Sequence, residues 1–168
     1  EISIDYRVYD KDPSGIEVIM NFVNGNQNTN LSKTEIKNML IDKSGISIFR
    51  NDFRIRPYGD KGFDWLNLDS KRVQNPSMSI GSEQINGKIG IESEEMSGLK
   101  EKSARDGLYE NSNFYTLQRI ADLSLSLLEK ERFRYRQKAT KMKPEAIDKL
   151  FDFSHINQKM EKAVEKAY

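Results

Sequence analysis

The sequence predicts an α+β domain with a mixed sheet whose helices lie on one face, followed by a C-terminal helical arm. Apolar and polar residues alternate over residues 2–9 and again over residues 84–92, which predicts strands. Through residues 114–128 apolar residues recur every three or four positions, which predicts a long amphipathic helix. Strands and helices mixed in this order along the chain are typical of the α+β class.

The first thirty positions contain two predicted strands and a polar loop. Residues 2–9 form the first strand, and Asp12-Pro13-Ser14-Gly15 is a turn signal. Residues 16–23 are then interpreted as a second strand. The polar tract at residues 24–30 cannot bury apolar area and is expected to be a mobile loop.

A short helix follows, with its start marked by a capping box. The Ser32 hydroxyl can accept a hydrogen bond from a first-turn amide, and Glu35 can reach back to the Ser32 amide. Ile36 begins the apolar stripe, and Gly45 is suited to the left-handed stop of the helix.

Residues 45–59 predict a β-hairpin with Asn51-Asp52 as its turn. This turn would pair Ile48 with Ile55 and Arg50 with Phe53. The expected core face holds Ile46, Ile48, Phe53 and Ile55, and the other face holds Phe49, Arg54 and Arg56.

The second half of the chain predicts a central strand and two helices. Residues 60–76 are expected to be irregular. Residues 84–92 are interpreted as a central strand; the alternative, a hairpin turn at Asn86-Gly87, would leave very short flanking strands. Residues 94–107 are interpreted as a charged, flexible segment. Asn111 or Asn113 can cap a long helix that ends near Arg136. Pro144 opens a final helix that ends near Ala167.

Composition narrows the classes of function. The chain has no cysteine and a single histidine, His155, which excludes disulfides, thiolate zinc sites and multi-histidine metal sites, so no metal site is assigned. Net charge is +1, and no apolar run is long enough to span a membrane. The chain begins at Glu1 with no signal pattern, so we expect a cytoplasmic fragment of a larger protein without a membrane partner.

Three stretches carry a family resemblance. They are Gly45–Arg50 (GISIFR) leading into Arg54–Gly59 (RIRPYG), Asp64–Asp69 (DWLNLD) and Arg105–Asn111 (RDGLYEN). In order and spacing they resemble the second domain of bacterial GHKL ATPases related to MORC proteins, over about residues 30–136. GHKL denotes the gyrase, heat-shock chaperone, histidine kinase and MutL superfamily.

The resemblance implies a transducer domain with a fold first described in a ribosomal protein. We assign residues 1–136 to that domain and residues 137–168 to a helical extension, although residues 1–29 and 137–168 carry no part of the resemblance. ATP and Mg²⁺ would be bound mainly by an N-terminal ATP-binding domain, whose Asn helix and glycine lid this sequence lacks. The resemblance further implies a homodimer in the full-length protein.

The same resemblance assigns the site residues. A transducer contributes one basic residue, from the loop before its long helix, to the γ-phosphate of ATP. The matching position here is Arg105, which is assigned as the catalytic and nucleotide-binding residue. Lys102, three positions earlier, is assigned as a second nucleotide-binding residue. Relatives often have Asn directly before the basic residue, where this chain has Ala104. The alternative is that Arg105 is an ordinary solvated charge.

Other segments leave alternatives open. Residues 130–143 hold seven basic residues and one acidic residue, so this basic segment could contact nucleic acid or form a solvated helix end. A third interpretation is a scaffold whose long helices bind a partner protein. Arg54 and Arg56 fit either a contact to the ATP domain or ion pairs with Asp64 or Asp69. Trp65 is expected to anchor the core.

Overall fold

The computed structural model describes residues 1–141, with side chains through residue 138, and it shows an α+β fold. A mixed four-stranded sheet is ordered β1-β4-β2-β3. In chain order the elements are β1 (Ile2–Val8), α1 (Pro13–Gln27), α2 (Lys33–Asp42), β2 (Gly45–Arg50), β3 (Phe53–Ile55), α3 (Leu68–Gln74), a 3₁₀ turn (Ser82–Gln84), β4 (Ile85–Ile91), α4 (Glu94–Ser97) and α5 (Ser112–Lys141).

The predicted central strand is confirmed as β4. It pairs antiparallel with β1, with Ile4 opposite Ile89, and parallel with β2, with Ile48 opposite the same Ile89. Ile48 and Ile89 are fully buried because one face of the sheet packs against α5. The core face also includes Ile46, Ile55, Ile85 and Ile91, which meet Phe114, Leu117, Ala121 and Leu125 of α5.

The hairpin of β2 and β3 has the predicted register. Ile48 is opposite Ile55 and Arg50 is opposite Phe53. Asn51 and Asp52 both have positive φ, 48° and 65°, as a two-residue type I′ hairpin turn requires. Phe53 was expected in the core and is instead 81% exposed, because it lies beside the turn at the open end of the short strand β3.

The predicted strand at residues 16–23 is wrong: these residues belong to α1. Asp12 is its N-cap, with its Oδ1 accepting a hydrogen bond from the Gly15 amide at 2.6 Å, and Pro13 occupies the first turn. The turn signal is therefore a helix start. The helix also takes in the first part of the polar tract, ending at Gln27.

α1 and α2 pack together and form a second, smaller core. The capping box of α2 is confirmed: Glu35 donates its amide to the Ser32 hydroxyl, and its carboxylate accepts the Ser32 amide at 2.8 Å. Ile16 of α1 and Ile36 of α2 are fully buried. Ile16, Ile19, Met20 and Val23 of the predicted second strand thus belong to the core of α1 and α2 and not to the sheet, while Val18 and Phe22 are exposed.

Residues 60–76 are more regular than expected, because they include α3. Leu66 and Leu68 are buried, as anchors should be. Trp65 is half-buried against the core, and its indole N–H donates to the Ile46 carbonyl at 2.9 Å. This bond ties the segment to β2.

The long helix α5 begins where the sequence predicts. Asn111 caps it, with its Oδ1 accepting the Phe114 amide at 2.9 Å. The helix runs to Lys141, past the predicted end near Arg136. The expected helix from Pro144 to Ala167, and His155 within it, lie outside the described residues.

Candidate functional site

The loop before α5 is a small hairpin that carries Arg105 at its tip. The two arms of this hairpin are joined at its base by an antiparallel β-bridge between Glu101 and Leu108. The Lys102 amide donates to the Gly107 carbonyl, and the Tyr109 amide donates to the Lys100 carbonyl, each at 2.9 Å. Residues 100–109 are named the Arg105 hairpin. Together with α4, it replaces the flexible segment expected over residues 94–107.

Arg50, at the end of β2, anchors one side of the Arg105 hairpin. Its Nη1 lies 2.6 Å from a carboxylate oxygen of Glu101 and 3.3 Å from one of Glu94. Its Nε donates to the Glu92 carbonyl at 3.2 Å, and its Nη2 donates to the Leu99 carbonyl. The Arg50 side chain is only 12% exposed, whereas the carboxylates of Glu94 and Glu101 are 46% and 35% exposed, so the guanidinium is largely buried and its carboxylate partners face partly into water.

Tyr58 anchors the other side. Its hydroxyl accepts a hydrogen bond from the Leu108 amide at 3.1 Å, and burial raises its pKa. Gly107 has φ of 126°, in a region that disfavours side chains, and a Cβ at this position would lie 3.3 Å from the Tyr58 hydroxyl oxygen. The Tyr58 ring packs edge-on to Trp65, with ring centroids 5.3 Å apart.

Asn111 connects the hairpin to α5. Besides capping the helix, it donates its side-chain amide to the Gly98 carbonyl at 2.9 Å. The residues before the hairpin and the first turn of α5 are therefore held by one side chain.

The motifs that carry the resemblance thus meet at one place in the fold. GISIFR contributes Arg50, RIRPYG contributes Tyr58, DWLNLD contributes Trp65, and RDGLYEN contributes Gly107 and Asn111. They surround the base of the Arg105 hairpin. Sequence reasoning did not identify Arg50 as part of this cluster. The available signal was a charged residue in phase with Ile46 and Ile48 on the core face of β2.

Arg105 and Lys102 lie close together at the hairpin tip. The Arg105 amide donates to the Lys102 carbonyl at 2.8 Å, closing a tight turn. Arg105 has φ of 56°, a left-handed conformation that costs a residue with a side chain about 1 kcal/mol. Its side chain is exposed, and neither cation pairs with any side chain that the structure describes.

Arg54 and Arg56 make the structural contacts that one alternative expected, but with a different carboxylate. Arg54 pairs with Asp60 and donates its Nε to the Tyr58 carbonyl at 3.0 Å, while Arg56 lies 3.9 Å from Asp60. The expected partners are used elsewhere. Asp64 accepts the Asp69 amide, and Asp69 accepts the amide and hydroxyl of Ser82.

The described part of the basic segment is partly engaged in the fold. Arg132 is 10% exposed and pairs with Asp10, which follows β1. Arg134 pairs with Glu131 at 2.7 Å on the helix surface. Lys130 and Lys138 are exposed. Arg132 is thus unavailable to an external ligand.

Within residues 1–141, no cluster of His, Cys, Asp or Glu is arranged to hold a metal ion, and no helix has the length and apolarity needed to cross a membrane. A cavity of about 630 Å³ lies beside the hairpin base, lined by Gly98, Leu99 and Asn113 among others.

Comparisons of the chain with family models, curated proteins and solved structures found no match.

Proposed function

We propose that this chain is the transducer part of a GHKL-type ATPase and that it offers Arg105 to the γ-phosphate of ATP held by a separate domain. One observation carries the proposal. Arg50 and Tyr58, about fifty positions earlier in the chain, hold the base of a hairpin whose tip presents an exposed arginine with no partner among the described side chains. An anchored base with an unpaired cation at the tip suits an arginine that must reach a ligand outside its own domain.

The chemistry of the tip suits a phosphate. A guanidinium offers a planar fork of donors that matches phosphate oxygens and keeps its charge at all physiological pH values. Lys102, three positions earlier on the same turn, adds a second positive charge. Placing these cations on an anchored hairpin reduces the reorganisation needed when they meet the nucleotide.

ATP and Mg²⁺ would be held mainly by the absent ATP-binding domain, and the bound nucleotide would supply the phosphoryl group transferred to water. Arg105 would stabilise the negative charge that grows on the phosphate oxygens, as arginine fingers do, with typical effects of about 10³–10⁵ on rate. The chain alone should therefore bind nucleotide weakly and not hydrolyse it.

The hairpin base also provides a route for coupling. Asn111 bonds both to the segment before the hairpin and to the first turn of α5, so movement of the tip toward a nucleotide would shift the helix. We infer that α5 passes the nucleotide state toward residues 137–168. We place the complete ATPase, a homodimer, in the cytoplasm, a reducing compartment that suits a sequence without cysteine.

Arg105 is tested by substitution in the full-length protein. Arg105→Ala should leave the fold intact, because the side chain is exposed, while ATP turnover falls by about 10³ or more. Nucleotide affinity should fall less, because a ground-state charged hydrogen bond contributes only about 1.5–3 kcal/mol. Arg105→Lys should restore part of the turnover, since it keeps the charge and loses the fork.

Lys102→Ala is the matched control, three positions away on the same turn. Its turnover should fall less than that of Arg105→Ala. Normal turnover in Arg105→Ala together with loss in Lys102→Ala would move the catalytic assignment to Lys102. Normal turnover in both variants would reject the transducer interpretation of this hairpin.

A further inference from the structure

The outer edge of β1 is open within the described residues. β1 is the first strand of the sheet order, and over residues 1–141 its only strand partner is β4. It is seven residues long, whereas β3 at the opposite edge has three. An edge strand of this length presents a row of unpaired amide and carbonyl groups that can accept another strand.

The register identifies which backbone groups point outward. The Tyr9 amide donates to the Gln84 carbonyl at 2.9 Å, which continues the antiparallel pairing of β1 with β4. Because hydrogen-bonded pairs alternate along an antiparallel ladder, Asp5 and Arg7 also bond toward β4. Ile4, Tyr6 and Val8 therefore direct their N–H and C=O groups to the open edge.

The side chains of β1 specify a partner strand. Asp5 and Arg7 lie on the solvent face, 58% and 69% exposed and 3.3 Å apart. If a second β1 pairs antiparallel about a two-fold axis at Tyr6, each Asp5 lies opposite an Arg7 of the other copy. Two-fold axes at Asp5 or at Arg7 would instead place like charges opposite one another, which destabilises a strand pair.

The helix that packs on this face of the sheet carries an exposed apolar side chain. The Ser124 hydroxyl of α5 donates to the Tyr6 hydroxyl at 3.3 Å, so this turn of α5 contacts the Tyr6 side chain from the middle of β1. Asp122, on the side of α5 that faces α3, pairs with Lys71. Leu123 lies about 100° further around the helix, away from α3, and is 41% exposed.

We propose that β1 is a self-association surface on which a second copy of this chain adds its own β1, antiparallel and centred on Tyr6. Ile4 of each copy exchanges backbone hydrogen bonds with Val8 of the other, and the two Tyr6 residues do the same across the axis. The Asp5–Arg7 pairs set the register on the solvent face. This arrangement does not depend on the ATPase proposal.

Charge exchange tests the proposal with the 168-residue chain. Sedimentation velocity should show a dimer for the parent. Asp5→Arg and Arg7→Asp should each weaken dimerisation by roughly tenfold or more, since each places like charges opposite at two symmetric positions. Circular dichroism should be unchanged, because both side chains are exposed.

The combinations discriminate this register from a general charge effect. The double variant Asp5→Arg/Arg7→Asp should recover the dimer. Mixing the two single variants should produce a heterodimer, because two positive side chains then face two negative ones. A parent that stays monomeric at every concentration reached, or single variants that dimerise as the parent does, would overturn the proposal.

Cysteine pairs check the register directly, because the chain has no cysteine of its own. A mixture of Asp5→Cys and Arg7→Cys proteins should form the mixed disulfide under mild oxidation. Asp5→Cys alone should form little disulfide. Efficient crosslinking of Asp5→Cys to itself would place the axis at residue 5 and contradict the proposed pairing.

Discussion

At the scale of single residues, Arg50 fixes a loop that is remote from it in sequence. Its guanidinium reaches Glu101, 51 positions further along the chain, and also bonds to the Leu99 carbonyl. A charged side chain at a core-facing strand position would be costly if unpaired. Here the charge is compensated by two carboxylates and two carbonyls, so the residue joins the sheet to the Arg105 hairpin.

Arg50→Lys should loosen the Arg105 hairpin while the sheet stays folded. A lysine cannot reach the carboxylates and carbonyls together, because it lacks the fork of donors. We expect a loss of about 1–3 kcal/mol in the free energy of unfolding. Hydrogen exchange should quicken most at the Lys102 and Tyr109 amides, which are bonded within the hairpin.

Arg134→Lys makes the same chemical change in an exposed ion pair with Glu131 on α5 and serves as the control. It should leave exchange at Lys102 and Tyr109 unchanged. If Arg50→Lys also leaves these amides as protected as in the parent, Arg50 does not anchor the hairpin.

At the scale of elements, α5 holds separate parts of the fold together along its length. Near its start, Asn111 binds the segment before the Arg105 hairpin. In its second half, the Glu129 carboxylate accepts the Ile80 amide at 2.8 Å, and burial raises the pKa of that carboxyl. One turn later, Arg132 pairs with Asp10, between β1 and α1.

Arg132→Gln should destabilise the fold although it lies in a segment that composition marks as a solvated basic run. The substitution leaves the Asp10 carboxylate without its charged partner in a site where the arginine is 10% exposed. Because Asp10 is 34% exposed, the expected cost is about 2 kcal/mol, below that of a fully buried pair. Urea unfolding measures it.

Arg134→Gln, two positions away, removes the same charge from an exposed pair and should change stability by about 0.5 kcal/mol or less. Equal effects from both variants would show that Arg132 is not structural. The comparison also guides tests of nucleic acid binding. An Arg132 variant is unsuitable there, because weaker binding could result from unfolding and not from a lost contact to nucleic acid. Lys130 and Lys138 are the suitable positions, since both are exposed.

At the scale of the whole molecule, the sheet has one covered face and one polar face. Ile48, Ile89 and Ile4 lie under α5 on the covered face. On the polar face, Lys88 lies 4.7 Å from the centre of the Phe49 ring. Adjacent positions of β4 therefore differ sharply in their tolerance of charge.

Ile89→Asp should abolish cooperative unfolding, because it places a carboxylate at a fully buried position at the centre of the sheet. Ile48→Asp should do the same from the adjacent strand. Lys88→Asp introduces the same side chain one position earlier, on the exposed face, and should retain a cooperative melt by circular dichroism. A melt unchanged from the parent in Ile89→Asp would show that the faces are assigned wrongly.

Local signals in the sequence predicted much of this architecture. The Ser32–Glu35 capping box, the Asn51-Asp52 turn and the Asn111 cap each depend on residues within a few positions of one another. α1 was missed because the apolar residues between Ile16 and Val23 fit both the period of a helix and that of a strand. The packing of Ile16 against α2 favours the helix. α3 was missed because a helix of seven residues has little periodicity to detect.

The sequence by itself determined the α+β class, the central strand, the hairpin register and the start of α5, because short-range hydrogen bonds and the alternation of apolar residues specify each of them. Only the tertiary structure decided that Arg50 holds the Arg105 hairpin, that Arg132 is largely buried and that β1 has an open edge within residues 1–141. These three features depend on contacts or strand order between distant parts of the chain. Such pairings follow from the packing of the whole domain, and no local pattern of residue types encodes them.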